Sequence, residues 1–122
     1  MSTFRNVTAW QKAMDLVDAI YEAVACFPQC ELYALAQQMK KAAVSIPSNI
    51  AEGRGRRTTA DYRNFLYHAR GSAHELDTQI EIAARRRFLN ADTAHVLSDK
   101  TAQVGKLINT LINATYRRDP ST

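Results

Sequence analysis

A regular alternation of apolar spacings in the second half of the chain restricts the fold more than any other feature. Between residues 62 and 83, apolar side chains recur in steps of four and three: Tyr62, Leu66, Ala69, Ala73, Leu76, Ile80 and Ala83. This spacing places all of them on one face of an α-helix, and it is typical of helices that pack side by side in bundles. A strand would require alternation at every second residue. We therefore expect one long helix whose apolar face packs against neighbouring helices.

Three further segments have helical spacing, so the sequence predicts an all-α fold. Their apolar residues are Trp10, Ala13, Met14, Val17, Ile20, Tyr21, Val24 and Phe27 in the first, Leu35, Met39, Ala42 and Ile46 in the second, and Leu97, Thr101, Val104, Ile108 and Leu111 in the last. The connections between segments are short, about residues 28–31, 54–58 and 90–92. Short connections favour antiparallel neighbours, and we expect an up-down-up-down four-helix bundle.

The chain is expected to form a single domain. Its 122 residues are the length of an ordinary domain with one core. We predict a flexible N-terminus over residues 1–7, a bundle over residues 8–117 and a flexible tail over residues 118–122. Within the bundle, the helices are predicted at about residues 8–27, 32–53, 59–89 and 92–117.

The second helix contains a proline. Its apolar register continues past Pro47 to Asn49 or Ile50, which indicates one bent helix rather than two separate ones. Proline removes a backbone donor and presses on the preceding turn, and it kinks a helix at a cost of about 3 kcal/mol. Gly53 is expected to close this helix in the left-handed conformation.

Basic residues are concentrated in the middle of the chain. Sixteen Lys and Arg against twelve Asp and Glu give a formal net charge of +4. Residues 35–90 hold ten of the basic residues and only five acidic ones. A local excess of this kind attracts polyanions, although it carries no information about the fold.

The arginines of this region form a pattern with tyrosine. They follow the second helix and then continue along the third: Arg54, Arg56, Arg57, Arg63, Tyr67 and Arg70. Arginine with interleaved tyrosine is typical of nucleic-acid surfaces, where guanidinium groups contact phosphates and aromatic rings stack on bases. The alternative is a solvated helix face with local ion pairs such as Glu81 with Arg85. The residues alone do not decide between the two.

Polar residues also lie beside the apolar faces of the second and third helices. We call this set the polar seam: Asn49, Glu52, Ser72, Glu75 and Gln79. One interpretation pairs Glu52 with Glu75 for metal binding or acid–base chemistry. The favoured interpretation has these groups bonding to backbone near Pro47, or to side chains across a helix or subunit contact, because unpaired burial is costly.

The spacing of candidate ligands argues against an enzyme. Di-iron bundles use Glu-x-x-His pairs, and no glutamate in this chain is followed by histidine at that distance. Gly53 and Gly55 lack the third glycine of a dinucleotide fingerprint. We therefore expect no catalytic residues, no metal and no cofactor.

Nothing in the sequence indicates export or membrane insertion. The spacing of Cys26 and Cys30 fits neither a redox pair nor a zinc site, and both are expected to be reduced. Neither an amino-terminal export signal nor an apolar run of about 18 residues is present. The expected location is the cytoplasm.

Several motifs resemble those of 23S rRNA intervening-sequence proteins, a family of four-helix bundles. The most specific is Ser45-Ile46-Pro47-Ser48-Asn49-Ile50-Ala51-Glu52-Gly53, within a similar stretch that begins at Met39. Ala69-Arg70-Gly71-Ser72 and then Glu75-Leu76 with Thr78-Gln79 follow at the family's spacing. With further matches around Trp10 and Phe27, the resemblance spans about residues 8–112.

The resemblance implies a small bacterial protein without enzymatic activity, whose relatives form ring-like homo-oligomers, commonly pentamers. The family is also similar in fold to the accessory protein of diversity-generating retroelements, which works with a reverse transcriptase and binds nucleic acid. We therefore expect a homo-oligomer that binds nucleic acid, with RNA favoured over DNA, through arginine contacts to phosphates. Contacts between subunits would satisfy the polar seam. The alternative is a scaffold or accessory subunit that recruits a protein and does not contact nucleic acid.

Overall fold

The structure is a computed structural model that describes residues 3–118. These residues form four α-helices and no strand: α1 (Thr8–Val24), α2 (Leu35–Arg54), α3 (Thr59–Arg85) and α4 (Ala91–Arg118). Two short 3-10 helices, Phe4–Asn6 and Gln29–Glu31, precede α1 and α2. Consecutive helices pack against each other and α1 also contacts α4. The prediction of an all-α four-helix bundle is therefore confirmed.

The core lies between the four helices and includes the predicted face of α3. All seven regularly spaced residues of that helix are buried, from Leu66 at 0% to Tyr62 at 8% exposed. Large side chains from every helix meet there: Leu16, Ile20, Met39, Ile46, Ile50, Leu66, Leu76, Ile80, Val104 and Ile108. Full burial of such a side chain stabilises the fold by about 1.5–3 kcal/mol, so apolar packing is the main source of stability.

Side-chain hydrogen bonds join four residue pairs of α3 and α4: Arg63 with Thr115, Tyr67 with Tyr116, Arg70 with Asn109, and Asp77 with Ser98. The start of α3 is thus bonded to the end of α4, and later residues of α3 are bonded to earlier residues of α4. Pro47 is buried inside α2, which continues through it to Arg54. An antiparallel arrangement of all four helices and a kink at Pro47 stay predictions.

The ends of the helices follow local backbone chemistry. Helix α1 ends at Val24, short of the expected residue 27. Phe27 directly precedes Pro28, and the residue before a proline disfavours helical geometry. At the other end of α1, the N-cap residue Val7 is buried. Residues 1–2 and 119–122 lie outside the described residues, and flexibility of both termini stays a prediction.

Gly53 has a different role from the one expected. It lies inside α2, and no glycine in residues 3–118 has a positive φ, so the expected left-handed closure at Gly53 is wrong. A Cβ atom at this position would lie 2.6 Å from Cβ of Phe65 and 3.0 Å from Cδ1 of Tyr62. Glycine is required because α3 approaches α2 too closely to leave room for a side chain.

Helix α3 ends in a left-handed turn at Arg87, which has a φ of 63°. The N–H of Phe88 donates to the carbonyl of Ala83 over 2.9 Å, and the N–H of Arg87 donates to that of Ala84 over 3.0 Å. These two bonds form a Schellman motif, in which the left-handed position is usually glycine. An arginine there costs about 1–2 kcal/mol of backbone strain.

Candidate functional site

Arginines from several helix ends line one groove, which we call the basic groove. Its walls are the end of α2, the turn that follows, the first turn of α3 and the end of α4. The groove has a volume of about 370 Å³ and is lined by Gly53, Arg54, Arg56, Arg57, Thr58, Thr59, Tyr62 and Arg118. Four arginines therefore border a single small concave surface.

Arg56 is oriented by two neighbours. Its Nη2 donates to Oε1 of Glu52 over 2.8 Å, and its Cζ lies 4.7 Å from the centroid of the Phe65 ring. The side chains of the ion pair are 45% and 56% exposed. An exposed ion pair contributes only about 0.2–1 kcal/mol. The pair favours this position of Arg56, and the side chain stays accessible to a ligand.

The other arginines of the groove differ in their surroundings. Arg54 is partly buried, with Cζ 5.7 Å from the centroid of the Tyr62 ring. Arg54 and Arg118 lie in the last turns of α2 and α4, where the helix dipole favours cations. Arg57 is exposed and makes no hydrogen bond, ion pair or ring contact within residues 3–118. Its charge has no structural role in the described part of the chain.

The first turn of α3 opens onto the same groove. Oγ1 of Thr58 accepts a hydrogen bond from the N–H of Asp61 over 3.1 Å and caps the helix. The N–H groups of Thr59 and Ala60 have no acceptor within α3, because the first N–H groups of a helix lack one. This end of the helix carries partial positive charge and favours anions. The exposed carboxylate of Asp61 adds one negative charge to the turn.

Tyr62 lies in the wall of the basic groove, and its hydroxyl is buried. The residue is 8% exposed, and its hydroxyl has no hydrogen-bond partner among the described residues. A buried polar group left without a partner costs about 1–3 kcal/mol. The protein therefore retains a donor that its own described groups do not use.

Arg63 lies in the interior and not on the expected phosphate-contacting surface. It is only 8% exposed, and its Nε donates to Oγ1 of Thr115 over 2.9 Å. Its Nη2 donates to the carbonyl of Thr115 over 3.2 Å, and its Cζ lies 3.8 Å from the centroid of the Tyr116 ring. The guanidinium joins the start of α3 to the end of α4, and in this position it is not available to a phosphate.

Tyr67 and Arg70 lie at the surface but are bonded to α4. The hydroxyls of Tyr67 and Tyr116 share a hydrogen bond of 2.8 Å, and Nη1 of Arg70 donates to Oδ1 of Asn109 over 3.1 Å. Cζ of Arg70 also lies 4.8 Å from the centroid of the Tyr67 ring. The bond to Tyr116 raises the pKa of Tyr67 above its usual value, and desolvation adds to this effect. These residues form a polar ladder between two helices.

One part of the polar seam is bonded within the chain. Nδ2 of Asn49 donates to the carbonyl of Ser45 over 2.8 Å and to its Oγ over 2.9 Å. Oγ of Ser45 in turn shares a hydrogen bond of 2.9 Å with Oγ of Ser72. Asn49 and Ser72 are thus connected through Ser45 across α2 and α3.

The remaining members of the polar seam are not brought together. Glu52 is paired with Arg56, whereas Glu75 is exposed and borders a shallow groove that also contains Lys41. Gln79 is 5% exposed, and its Oε1 has no partner among the described residues. Within residues 3–118 no group of three or more His, Cys, Asp or Glu is arranged to hold a metal ion.

Sequence reasoning did not place Arg118 or Tyr62 at the basic groove. Arg118 reaches the groove only because α4 ends beside the start of α3, and the bond between Arg63 and Thr115 fixes that arrangement. Tyr62 was assigned to the core from its spacing, which is correct for its ring. The only available signal was the bundle topology, which predicts that these helix ends meet.

Across the described residues, no helix has the length and apolarity needed to cross a membrane.

Comparisons with known proteins agree with this architecture. The family model described as 23S rRNA-intervening sequence protein matches residues 5–110. A solved structure of a protein of unknown function, from the S23 ribosomal protein family of Bacteroides thetaiotaomicron, is similar with a TM-score of 0.78 and 18% identity, over 86% of this chain and 98% of that chain. At this identity the similarity shows a shared fold alone. No curated protein sequence matches the chain. The extent of the family match shows that the chain belongs to the 23S rRNA-intervening sequence protein family.

Proposed function

We propose that this protein is a non-enzymatic homo-oligomer that binds nucleic acid at the basic groove. The observation that supports this most directly is the convergence of Arg54, Arg56, Arg57 and Arg118 on one concave surface. Cationic side chains that contact phosphates displace condensed counterions, and this release drives binding. The preference for RNA over DNA rests on the name of the family, which associates its members with intervening sequences of rRNA.

The structure reduces the number of residues that we propose to contact nucleic acid. Arg63 is left out because it is buried against Thr115. Tyr67 and Arg70 lie on the outer surface of α3 and form a secondary patch, whose side chains are already bonded to α4. The primary contacts are the arginines of the basic groove.

Self-association is supported by side chains that a single chain leaves uncovered. Val44 on α2, Ile82 on α3 and Val96 on α4 are 40%, 43% and 50% exposed. Oε1 of Gln79 is buried and unpaired among the described residues, and a neighbouring subunit would supply its partner. Light scattering should give about five times the chain mass of 13.7 kDa, and a monomer mass at micromolar concentration would refute the homo-oligomer.

Fluorescence anisotropy with a structured RNA, and with DNA of the same sequence, tests nucleic-acid binding. Affinity should fall steeply as salt rises from about 50 to about 300 mM, and log affinity should be linear in log salt. The double variant Arg56→Ala with Arg57→Ala should bind about tenfold more weakly, with a slope shallower by about two.

The matched control is Arg85→Ala with Arg86→Ala, at the far end of α3. Since each helical residue rises about 1.5 Å, this pair lies about 40 Å from the start of α3. It removes the same charge and should leave most of the affinity. Absence of binding at low salt, or an equal loss in the control, would contradict the proposed site. Copurification of one protein that survives nuclease treatment, without RNA binding, would support the scaffold alternative.

A further inference from the structure

We propose that the homo-oligomer assembles head to tail, with the α2/α3 face of one copy docked on the α1/α4 face of the next. The inference rests on the self-association in the proposed function and makes it more specific, because it names the two surfaces that meet. Consecutive helices pack against each other and α1 packs against α4, so these two faces lie on opposite sides of the bundle. Contacts between two different surfaces of one chain form a ring when the rotation between copies closes.

The α1/α4 face carries an apolar groove that the chain itself leaves open. This apolar groove has a volume of about 540 Å³, and its lining includes Ala23, Leu89 and Val96. Val96 is 50% exposed. The charged residues of the lining are Glu22 and Asp92, and Asp92 lies in the first turn of α4, where the helix dipole favours an acid. The apolar groove therefore fits an apolar side chain with a basic residue beside it.

The α2/α3 face of the same chain has these features. Ser45 and Ser72 share a hydrogen bond of 2.9 Å, which marks this side of the two helices. With about 3.6 residues per turn, Ile82 lies on the outward side of α3 next to Ser72, and it is 43% exposed. Lys41 lies one turn before Ser45 on α2 and is exposed. One face thus presents the apolar and basic groups that the other lacks.

The charges of the two faces have opposite order. On the α2/α3 face, the base Lys41 is on α2 and the acid Glu75 is on α3, and both border one shallow groove. On the α1/α4 face, the acid Glu22 is on α1 and the base Lys100 is on α4. None of these four side chains makes a hydrogen bond or ion pair within residues 3–118. Docking α2 against α1 and α3 against α4 sets each base against an acid, which favours this pairing of faces.

The matching residues of α3 and α4 lie at similar heights along the bundle. The bond between Asp77 and Ser98 joins the two helices at one level. A rise of about 1.5 Å per residue places Glu75 and Lys100 each about 3 Å from this level, in the same direction. The exposed apolar residues of the two faces lie on the other side of the level, and their heights differ by about 4–5 Å.

The matching residues of α1 and α2 also share a height. Lys41 borders a groove between α1 and α2 together with Tyr21, the residue before Glu22. Glu22 and Lys41 of one chain are therefore close to the same level. Copies related by rotation, with little translation, bring the complementary groups together, as a closed ring requires.

An exchange of charges between α1 and α2 tests the inference. Glu22→Lys and Lys41→Glu each set like charges against each other, so each should raise at least tenfold the protein concentration at which half of the assembly dissociates. Analytical ultracentrifugation measures this concentration. The double variant restores opposite charges and the original net charge, and it should return to within about threefold of the wild type. Single variants without effect, or a double variant that does not recover, would overturn the inference.

Ile82→Asp tests the apolar contact and should also weaken assembly at least tenfold, because it places a carboxylate in the apolar groove. The matched control is Met14→Asp. Met14 is 38% exposed and lies two turns before Tyr21, on the side of α1 that faces α2. It should leave assembly unchanged within about threefold, and circular dichroism should show both variants to be folded. Equal losses from the two variants would place the contact elsewhere.

The two cysteines report whether the apolar groove is covered. Cys26 lines it, whereas Cys30 is exposed and outside its lining. At a concentration where only the wild type is assembled, iodoacetamide should alkylate Cys26 at least tenfold more slowly in the wild type than in Lys41→Glu. Cys30 should react at the same rate in both. An equal rate for Cys26 would show an open groove and contradict the docking.

The outcomes separate this inference from the proposed function. A wild type that stays monomeric overturns both the homo-oligomer and the docking of these faces. A wild-type oligomer that every variant retains overturns the inference and leaves the homo-oligomer standing. Slow alkylation of Cys26 in a monomeric wild type would assign the apolar groove to another ligand, and this result also overturns the inference.

Discussion

Arg63 caps the end of α4 by donating from Nε to Oγ1 of Thr115 over 2.9 Å and from Nη2 to its carbonyl over 3.2 Å. Thr115 lies in the last described turn of α4. The negative end of the α4 dipole also favours a cation there. Arg63 makes no ion pair within residues 3–118, so these interactions and the Tyr116 ring compensate its buried charge.

Arg63→Ala should therefore lower the free energy of unfolding by about 2–3 kcal/mol, because it removes charged hydrogen bonds and the packing of the side-chain stem. Arg63→Lys should recover only part of this loss, since an ammonium group cannot form both bonds and stack on Tyr116. Urea denaturation at one fixed protein concentration measures the effect. Arg70→Ala, at a partly exposed position, serves as control and should cost less than about 1 kcal/mol. Equal losses for the two alanine variants would contradict the capping role.

Gly53→Ala and Gly71→Ala should change stability in opposite directions. The added methyl at Gly53 would lie 2.6 Å from Cβ of Phe65, and this overpacking should destabilise the protein by about 1–2 kcal/mol. No atom lies within 4 Å of the corresponding position at Gly71, which is exposed in the middle of α3, so alanine should add about 0.5–1 kcal/mol. Thermal or urea unfolding measures both, and a neutral Gly53→Ala would show that α2 and α3 can separate without cost.

Arg87→Gly should stabilise the protein by about 1 kcal/mol, because it relieves the left-handed backbone strain at the end of α3. The neighbouring Arg86 has a φ of −80°. Its replacement by glycine removes the same single positive charge as Arg87→Gly. Arg86→Gly should give no gain, since arginine at a φ of −80° is not strained. A similar gain from both variants would assign the effect to charge repulsion among the three consecutive arginines.

The bond between Tyr67 and Tyr116 should make stability depend on alkaline pH. It raises the pKa of Tyr67 in the folded protein above 10.0, so the neutral hydroxyl is favoured in the fold. The resulting contribution to stability is complete below pH 10 and is lost as the pH rises through the folded pKa. Ultraviolet titration of the wild type should show a tyrosine that ionises late, and Tyr116→Phe should return it towards the usual value. An unchanged titration in that variant would contradict the coupling.

The sequence predicted the helices well because the apolar spacing reports directly on which residues face a neighbour. All seven predicted apolar residues of α3 are buried, and Arg63 and Gln79 are buried beside them. In α1 the predicted stripe included Met14 and Tyr21, which are 38% and 48% exposed, and omitted Leu16, which is 1% exposed. Two adjacent stripes of this helix are apolar enough to be buried, and only the contacts with α2 and α4 select between them.

The candidate site was only partly predictable for a related reason. The arginines at residues 54–57 are adjacent in the chain, so their clustering required no knowledge of the fold. Arg63 was placed at the surface because one buried stripe was assumed for α3. That helix packs against both α2 and α4, and its buried surface is correspondingly wider. The partner of Arg63, Thr115, is distant in the sequence, and no local pattern connects the two.

The contact between the end of α4 and the start of α3 has a consequence for local stability. Arg118 borders the basic groove only when the last turn of α4 is docked, and Arg63 holds that turn through Thr115. Ligand occupancy and closure of this helix end are therefore linked by mass action. An anion that fills the groove would slow amide hydrogen exchange in the final turn of α4, although most of that turn lies outside the binding surface.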